Sequence, residues 1–170
     1  MDEYKYQWHS PLGPVTQTWA GQVDAMPARV YAIAFISANE VLLVSDADPD
    51  YPGPYLPGGG VEQGETAEEA LARELCEEAD ATIVALEPLG SLHVAFAQGG
   101  EELQRYYWCR LTLAQQVFPK AEPTKRHIVA TADFLDTLEW GRRDPLALRL
   151  LELALDEEGR YGSRAGEHDV

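Results

Sequence analysis

Residues Leu56 to Thr82 read LPGGGVEQGETAEEALARELCEEADAT. Thr66 precedes a helix-forming run, and Glu69 three residues on completes the pattern of a capping box. The spacing predicts a helix over Ala67–Ala79. A helix advances about 100° per residue. With Leu71 at zero, Leu75, Ala79 and Ala72 form a face suited to packing on a sheet. Glu74, Glu77 and Glu78 share an arc of roughly 100° beside that face. Ala67 and Ala70 fall in the same arc one or two turns earlier, so the neighbouring surface is small and lets something approach.

Acids placed three and four apart repel by a few tenths of a kcal/mol per pair. A solvated acidic face normally interleaves Lys or Arg at that spacing. Here only Glu69 has a basic residue four positions on, Arg73. Two readings follow: an acidic face left in water, or carboxylates gathered for a hard divalent cation such as Mg²⁺ or Mn²⁺. The preceding Gly58-Gly59-Gly60 favours the second. Without Cβ atoms the backbone comes close to a ligand, and its carbonyls can join the carboxylates.

Outward from this unit the chain reads as strands. VYAIAFIS (30–37) and VLLVS (41–45) flank Ala38-Asn39-Glu40 as a hairpin. The stretch 45–54, SDADPDYPGP, is a loop by its Asp, Pro and Gly content, and Tyr55-Leu56 leads into Pro57 as a short strand. After the helix, ATIVALEPLGSLHVAFA predicts two strands broken near Pro88-Leu89-Gly90, GGEE a turn, and LQRYYWCRLTL a long aromatic strand. PKAEPTKRH reads as a loop and HIVATADFL as a last short strand and turn. PLALRLLELALDEEG has helical leucine spacing, with Pro145 in its first turn and Gly159 beyond its end. The expected organisation is an extension over 1–27 with one short strand near Val15–Trp19, a domain over 28–158, and a frayed tail over 159–170. Strands around one central helix, with a second at the end, point to an α/β (α+β) fold, a mixed sheet covered by helices.

At 170 residues and 45% apolar composition, the chain is long enough for one domain with a real core. No apolar run approaches the length of a membrane span, and MDEYKYQWHSPLGP lacks the pattern of a secretory signal. Cys76 and Cys109 form neither metal spacing nor a disulfide framework, so a cytoplasmic protein with reduced thiols is expected. The net charge of −16 argues against bulk nucleic-acid binding. It leaves room for a small anionic substrate, since a bound cation reverses the local field.

Gly59, Glu65, Arg73, Glu74, Leu75, Glu77 and Glu78 stand at the spacing Gly, five residues, Glu, seven residues, Arg-Glu, apolar, any, Glu-Glu. With this pattern the chain resembles the Nudix hydrolases, and LLVS…YLPGGGVEQGE resembles the strand and loop that lead into their motif. The resemblance implies an α/β/α sandwich around a mixed sheet. It implies a metal-dependent hydrolase of a diphosphate linkage in a nucleoside diphosphate joined to another group: a nucleotide, nucleotide sugar or dinucleoside polyphosphate. It further implies Glu77 and Glu78 as ligands of Mg²⁺ or Mn²⁺, Gly58 as a carbonyl ligand, Glu74 as ligand or general base, and Arg73 orienting the glutamates, with Glu65 as its partner. The alternative is a Nudix-like module that binds a nucleotide without cleaving it; the full set of glutamates argues for catalysis. Homodimerisation stays open.

Two departures stand out. Asp80 occupies the place of the motif's late Gly, which ends the helix in a left-handed conformation that Asp tolerates. The loop before the motif carries Asp46, Asp48 and Asp50 where many relatives have an Arg near substrate phosphates, which argues against a strongly polyphosphorylated substrate. Further candidates are Glu101 or Glu102, in the turn, as a downstream acidic ligand, Arg105 toward phosphate, and Tyr55 and Gly59 beside the substrate. Tyr106 and Trp108 share one strand face and Tyr107 the other. Lys120, Lys125, Arg126 and His127 form the one dense basic loop.

Overall fold

The computed structural model describes residues 4–46, 53–114 and 124–166. Asp48, Asp50 and Lys120 lie outside them. In chain order the elements are β1 (Lys5–Ser10), β2 (Gly13–Gly21), β3 (Arg29–Ser37), β4 (Glu40–Asp46), β5 (Gly58–Gly60), α1 (Ala67–Ala79), β6 (Ala81–Phe96), β7 (Glu101–Leu113) and β8 (Thr124–Ala130). A 3₁₀ turn (Thr131–Asp133), the short α2 (Phe134–Thr137) and α3 (Pro145–Gly166) follow.

The sheet runs β1-β2-β6-β7-β3-β4-β8, with β5 paired to β3. β3 and β7 are parallel, and the other pairings are antiparallel. Successive side chains of a strand point to opposite faces, and this sorts the two cores. Val30, Ala32 and Ala34 of β3 and Tyr107, Cys109 and Leu111 of β7 pack with Leu71 and Leu75 of α1. Ile33, Phe35, Tyr106 and Trp108 point the other way, toward Phe134 of α2 and Leu146 and Leu150 of α3. The fold is therefore an α/β/α sandwich around a mixed sheet. VYAIAFIS reads as an unbroken apolar run because β3 is covered on both faces.

Several elements differ from expectation, each for a tertiary reason. Residues 5–21 form a two-strand hairpin that extends the sheet through β6 rather than an extension with one strand. β6 is continuous through Pro88; register shifts at Ile83/Ala85 and Pro88/Gly90 bend it instead of breaking it. At Gly90, φ is 148°, and a Cβ there would lie 2.3 Å from the Trp19 ring. Glu101 and Glu102 open β7 and are not in the turn. Thr124–His127 belong to β8, so Lys125, Arg126 and His127 are strand residues paired with β4.

α3 runs through Gly159 and Gly162 to Gly166. Interior glycines cost a helix up to about 1 kcal/mol each, but its later turns are docked on β7. Glu158 is buried, accepts from Trp108 Nε1 at 3.2 Å and pairs with Arg110. The Arg110 guanidinium lies 5.3 Å from the Tyr161 ring centre, and Tyr161 meets Trp108 at 5.4 Å.

α1 begins and ends as its sequence predicts. Thr66 Oγ1 accepts from Glu69 N at 3.2 Å, and the Glu69 carboxylate accepts from Thr66 N at 2.8 Å. Asp80 takes the left-handed conformation, φ 48° and ψ 42°, and its N–H donates to the Cys76 carbonyl at 3.1 Å. It is the one non-glycine with positive φ among the described residues. Asp80→Gly is expected to be neutral or slightly stabilising. A β-branched side chain is strained there, so Asp80→Val is expected to destabilise by ~1–2 kcal/mol. Urea unfolding of the two variants measures the difference.

Candidate active site

α1 buries Ala67, Ala70, Leu71, Leu75 and Ala79, while Ala72, expected on the packing face, is exposed. The packing face is thus centred nearer Glu74 and Glu78 than the leucines alone suggest. On the helical wheel both carboxylates fall within the inward arc, and both are half-buried. Glu77 lies at its edge and is exposed.

Room for inward carboxylates comes from the glycine run. A Cβ on Gly59 would lie 2.4 Å from Glu74 Oε1. At Gly58, φ is 139° and a Cβ would lie 2.1 Å from the Val30 carbonyl oxygen. Gly58 N–H donates to Glu78 Oε2 at 2.9 Å. β5 pairs Gly58 with Tyr31 and Gly60 with Arg29, which fixes this backbone on β3.

Arg73 joins the loop to the helix. Its Nε and Nη2 donate to the two oxygens of Glu65 at 2.7 and 3.1 Å. Nη2 also donates to the Gly60 carbonyl at 2.9 Å, and Nη1 to Glu74 Oε1 at 3.0 Å and Glu77 Oε2 at 3.3 Å. The planar guanidinium suits this forked arrangement. The same contacts hold the Glu65 carboxyl below its ordinary range, chiefly through Arg73 and then through the Glu62 backbone. They raise the guanidinium further, Glu65 first.

Among the described residues, no three His, Cys, Asp or Glu side chains converge as a ready-made cation cage. Arg73 engages Glu74 and Glu77, and Gly58 N–H engages Glu78. The donors are nevertheless all hard carboxylate oxygens, two of them set against backbone that lacks Cβ atoms. That chemistry fits Mg²⁺ or Mn²⁺.

Glu78 and Gly58 lie at the wall of a cavity of about 730 Å³. Tyr55 lines it as well and is bridged to Val44 in a short strand contact. Sequence reasoning missed most of the other walls: Tyr6 and Trp8 of β1, Arg29 and Tyr31 of β3, and Trp140 and Arg143 between α2 and α3. The signal was present in Tyr4, Tyr6 and Trp8, whose period of two marks a strand with one aromatic face.

Of the downstream acids, Glu102 lies closer to this region. It faces Arg29 at 3.7 Å. Tyr31 is raised by burial first, against the lowering effect of Arg29, with the charges of Glu102 and Glu78 adding to the rise. Glu101 is exposed at the start of β7. Arg105 is occupied elsewhere: Nη2 donates to the carbonyls of Val23 and Ala25, each at 2.7 Å, fastening the β2–β3 connection. His127 meets Ser45 Oγ at 2.7 Å, and burial, then Lys125, lowers its pKa.

The family model described as the NUDIX domain matches residues 26–148, and the chain belongs to the Nudix family. No curated protein sequence matches it. Solved structures with a similar fold include the Bacillus subtilis pyrophosphohydrolase BsRppH, 23% identical over 91% of this chain and 98% of that one, with a TM-score of 0.67. A Nitrosomonas europaea Nudix hydrolase is 19% identical over 79% of this chain and 91% of its own, with a TM-score of 0.60. A MutT structure from work on Aliivibrio salmonicida and Vibrio cholerae is 24% identical over 75% of this chain and 98% of its own, at 0.52.

Two predictions test the geometry. Gly58→Ala puts a Cβ against backbone and is expected to destabilise by about 1–3 kcal/mol. Gly59→Ala meets only the end of a side chain, so it is expected to displace Glu74 with a smaller loss; melting temperatures separate the two. Glu65 tests the clamp. Its folded pKa is depressed, so its contribution to stability is present above its ordinary value of 4.5 and fades as pH falls through the lower folded value. The melting-temperature gap between wild type and Glu65→Gln is therefore expected at pH 7 and should close in stronger acid, as read by calorimetry.

Proposed function

We propose that this chain is a divalent-metal-dependent hydrolase of a phosphoanhydride bond. Its substrate is a nucleoside diphosphate joined to a further group. The observation that carries the reading is the set Glu74, Glu77 and Glu78, steadied by Arg73 and Gly58 beside a cavity with aromatic walls. Two half-buried carboxylates, Glu74 and Glu78, with a third exposed beside them need a reason, and an anionic substrate approaching them needs a cation.

In this reading Glu77 and Glu78, with the Gly58 carbonyl, hold Mg²⁺ or Mn²⁺, and Glu102 is the nearer of the two downstream candidates. A bound cation would neutralise diphosphate charge and make water a better nucleophile. Glu74 takes the proton from water or serves as a further ligand. Arg73 touches no reacting atom; it holds Glu74 through Nη1 while Glu65 holds Arg73. The missing Cβ of Gly59 leaves room for the Glu74 carboxylate, and the substrate lies beside it. Residues 28–158 carry this chemistry as the hydrolase domain.

Glu74→Gln is expected to keep the fold and lower turnover by a factor on the order of 10²–10⁴, as for loss of a general base. The assay is a nucleotide panel with Mg²⁺ or Mn²⁺, with products identified by mass and solvent ¹⁸O traced into phosphate. In parallel, Mn²⁺ titration by calorimetry should show binding that weakens in Glu77→Gln and Glu78→Gln. No product from wild type with either metal would replace this reading by a nucleotide-binding module that does not cleave.

A further inference from the structure

The cavity beside Glu78 has one end the hydrolysis reading does not use. That end is built by a hairpin preceding residue 26, where the family match begins. Tyr6 and Trp8 alternate with outward residues on β1, opposite Gln17 and Val15 of β2, so they share the sheet face whose core includes Val15. Tyr6 Oη donates to the Arg143 carbonyl at 3.1 Å, and Tyr4 Oη to Asp144 Oδ1 at 2.6 Å. These two bonds fasten the hairpin to the α2–α3 connection, which brings Trp140 to the same cavity.

The chemistry of this end differs from that of the carboxylate end. Trp8 is 41% exposed, a large apolar ring left open to water. Trp140 is half-buried against the core and also lines the cavity. The cavity's charged walls hold two arginines, Arg29 and Arg143, and both have carboxylate partners, Glu102 and Glu139. Beyond these two pairs, Asp46 and Asp144 add negative charge to the same walls. Such a lining disfavours a bare polyphosphate and suits a flat, uncharged group that stacks on aromatic rings. Stacking of a base on an aromatic side chain tolerates any base, because every base has a π-face.

We infer that Trp8 and Trp140 form the nucleobase-stacking end of the cavity, so that β1 and β2 are a base-binding element rather than a mere extension. The inference rests on the hydrolase reading for the placement of phosphate at Glu78, but its test does not need turnover. Tyr6 acts as a positioning residue, since its hydroxyl is committed to Arg143.

The probes are AMP and GMP, which carry a base and a phosphate but no phosphoanhydride, with ribose 5-phosphate as the base-free control. All are titrated with Mg²⁺ against the full-length protein by tryptophan fluorescence and calorimetry. AMP or GMP is expected to bind and quench fluorescence, with ribose 5-phosphate bound at least tenfold more weakly. Trp8→Ala and Trp140→Ala should each weaken nucleotide binding by about tenfold, the scale of one lost stacking contact. Trp8→Phe should restore much of it, and Mn²⁺ affinity should not move in any of the three. If ribose 5-phosphate binds as well as AMP and GMP, or if the alanine variants bind like wild type, the inference is overturned. A lower melting temperature with unchanged nucleotide affinity overturns it too, as would wild type that binds neither nucleotide. Failure of the hydrolase reading looks different: AMP or GMP binds through the tryptophans, yet no anhydride substrate is cleaved. Conversely, turnover whose KM ignores both tryptophans leaves the hydrolase standing and removes the inference alone.

Discussion

The Arg73 guanidinium ties the loop before α1 to two of the three clustered acids on that helix. It reaches the loop through Glu65 and the Gly60 carbonyl, and the helix through Glu74 and Glu77. Without it, three carboxylates on little more than one turn would repel, and the Gly60–Glu65 loop would lose its anchor on α1. Lys could neutralise part of that charge. It could not supply a planar fork to a bidentate carboxylate, a carbonyl and two further acids at once.

The clamp works because the backbone beneath it lacks side chains. Gly58 and Gly59 come close to β3 and to Glu74, where a Cβ would collide with the Val30 carbonyl and the Glu74 carboxylate. β5 then ties the same residues to β3, an interior strand of the sheet. The carboxylate end of the cavity is consequently built from rigid pieces: a paired strand, a capped helix and an ion-pair fork. Its other end is made of elements distant in sequence, β1 and the α2–α3 connection, joined by tyrosine hydroxyls.

α1 and its surroundings were legible in the sequence because their causes are local. A capping box acts across three residues, a left-handed C-cap at one, and an ion-pair fork between Glu65 and Arg73 across two turns. A mixed sheet covered by helices was legible from the order of strands and helices, and the α/β/α layering was what the family resemblance implied. The helical wheel erred at Ala72 because a wheel gives angles but not where the sheet lies. The position of the sheet moved the packing face toward Glu74 and Glu78.

What the sequence by itself determined is therefore the family spacing, the central helix with both its ends, and the identity of the clustered acids. Tertiary structure alone decided that residues 5–21 join the sheet, that β6 bends through Pro88 instead of breaking, and that α3 continues past two glycines. It also decided that Arg105 is committed to carbonyls at Val23 and Ala25, while Trp8 and Trp140 line one cavity. The physical reason is common to all of these. Each depends on a partner far along the chain, whose hydrogen bonds or ring contacts outweigh a local preference worth about 1 kcal/mol or less, and no window of neighbouring residues contains that partner.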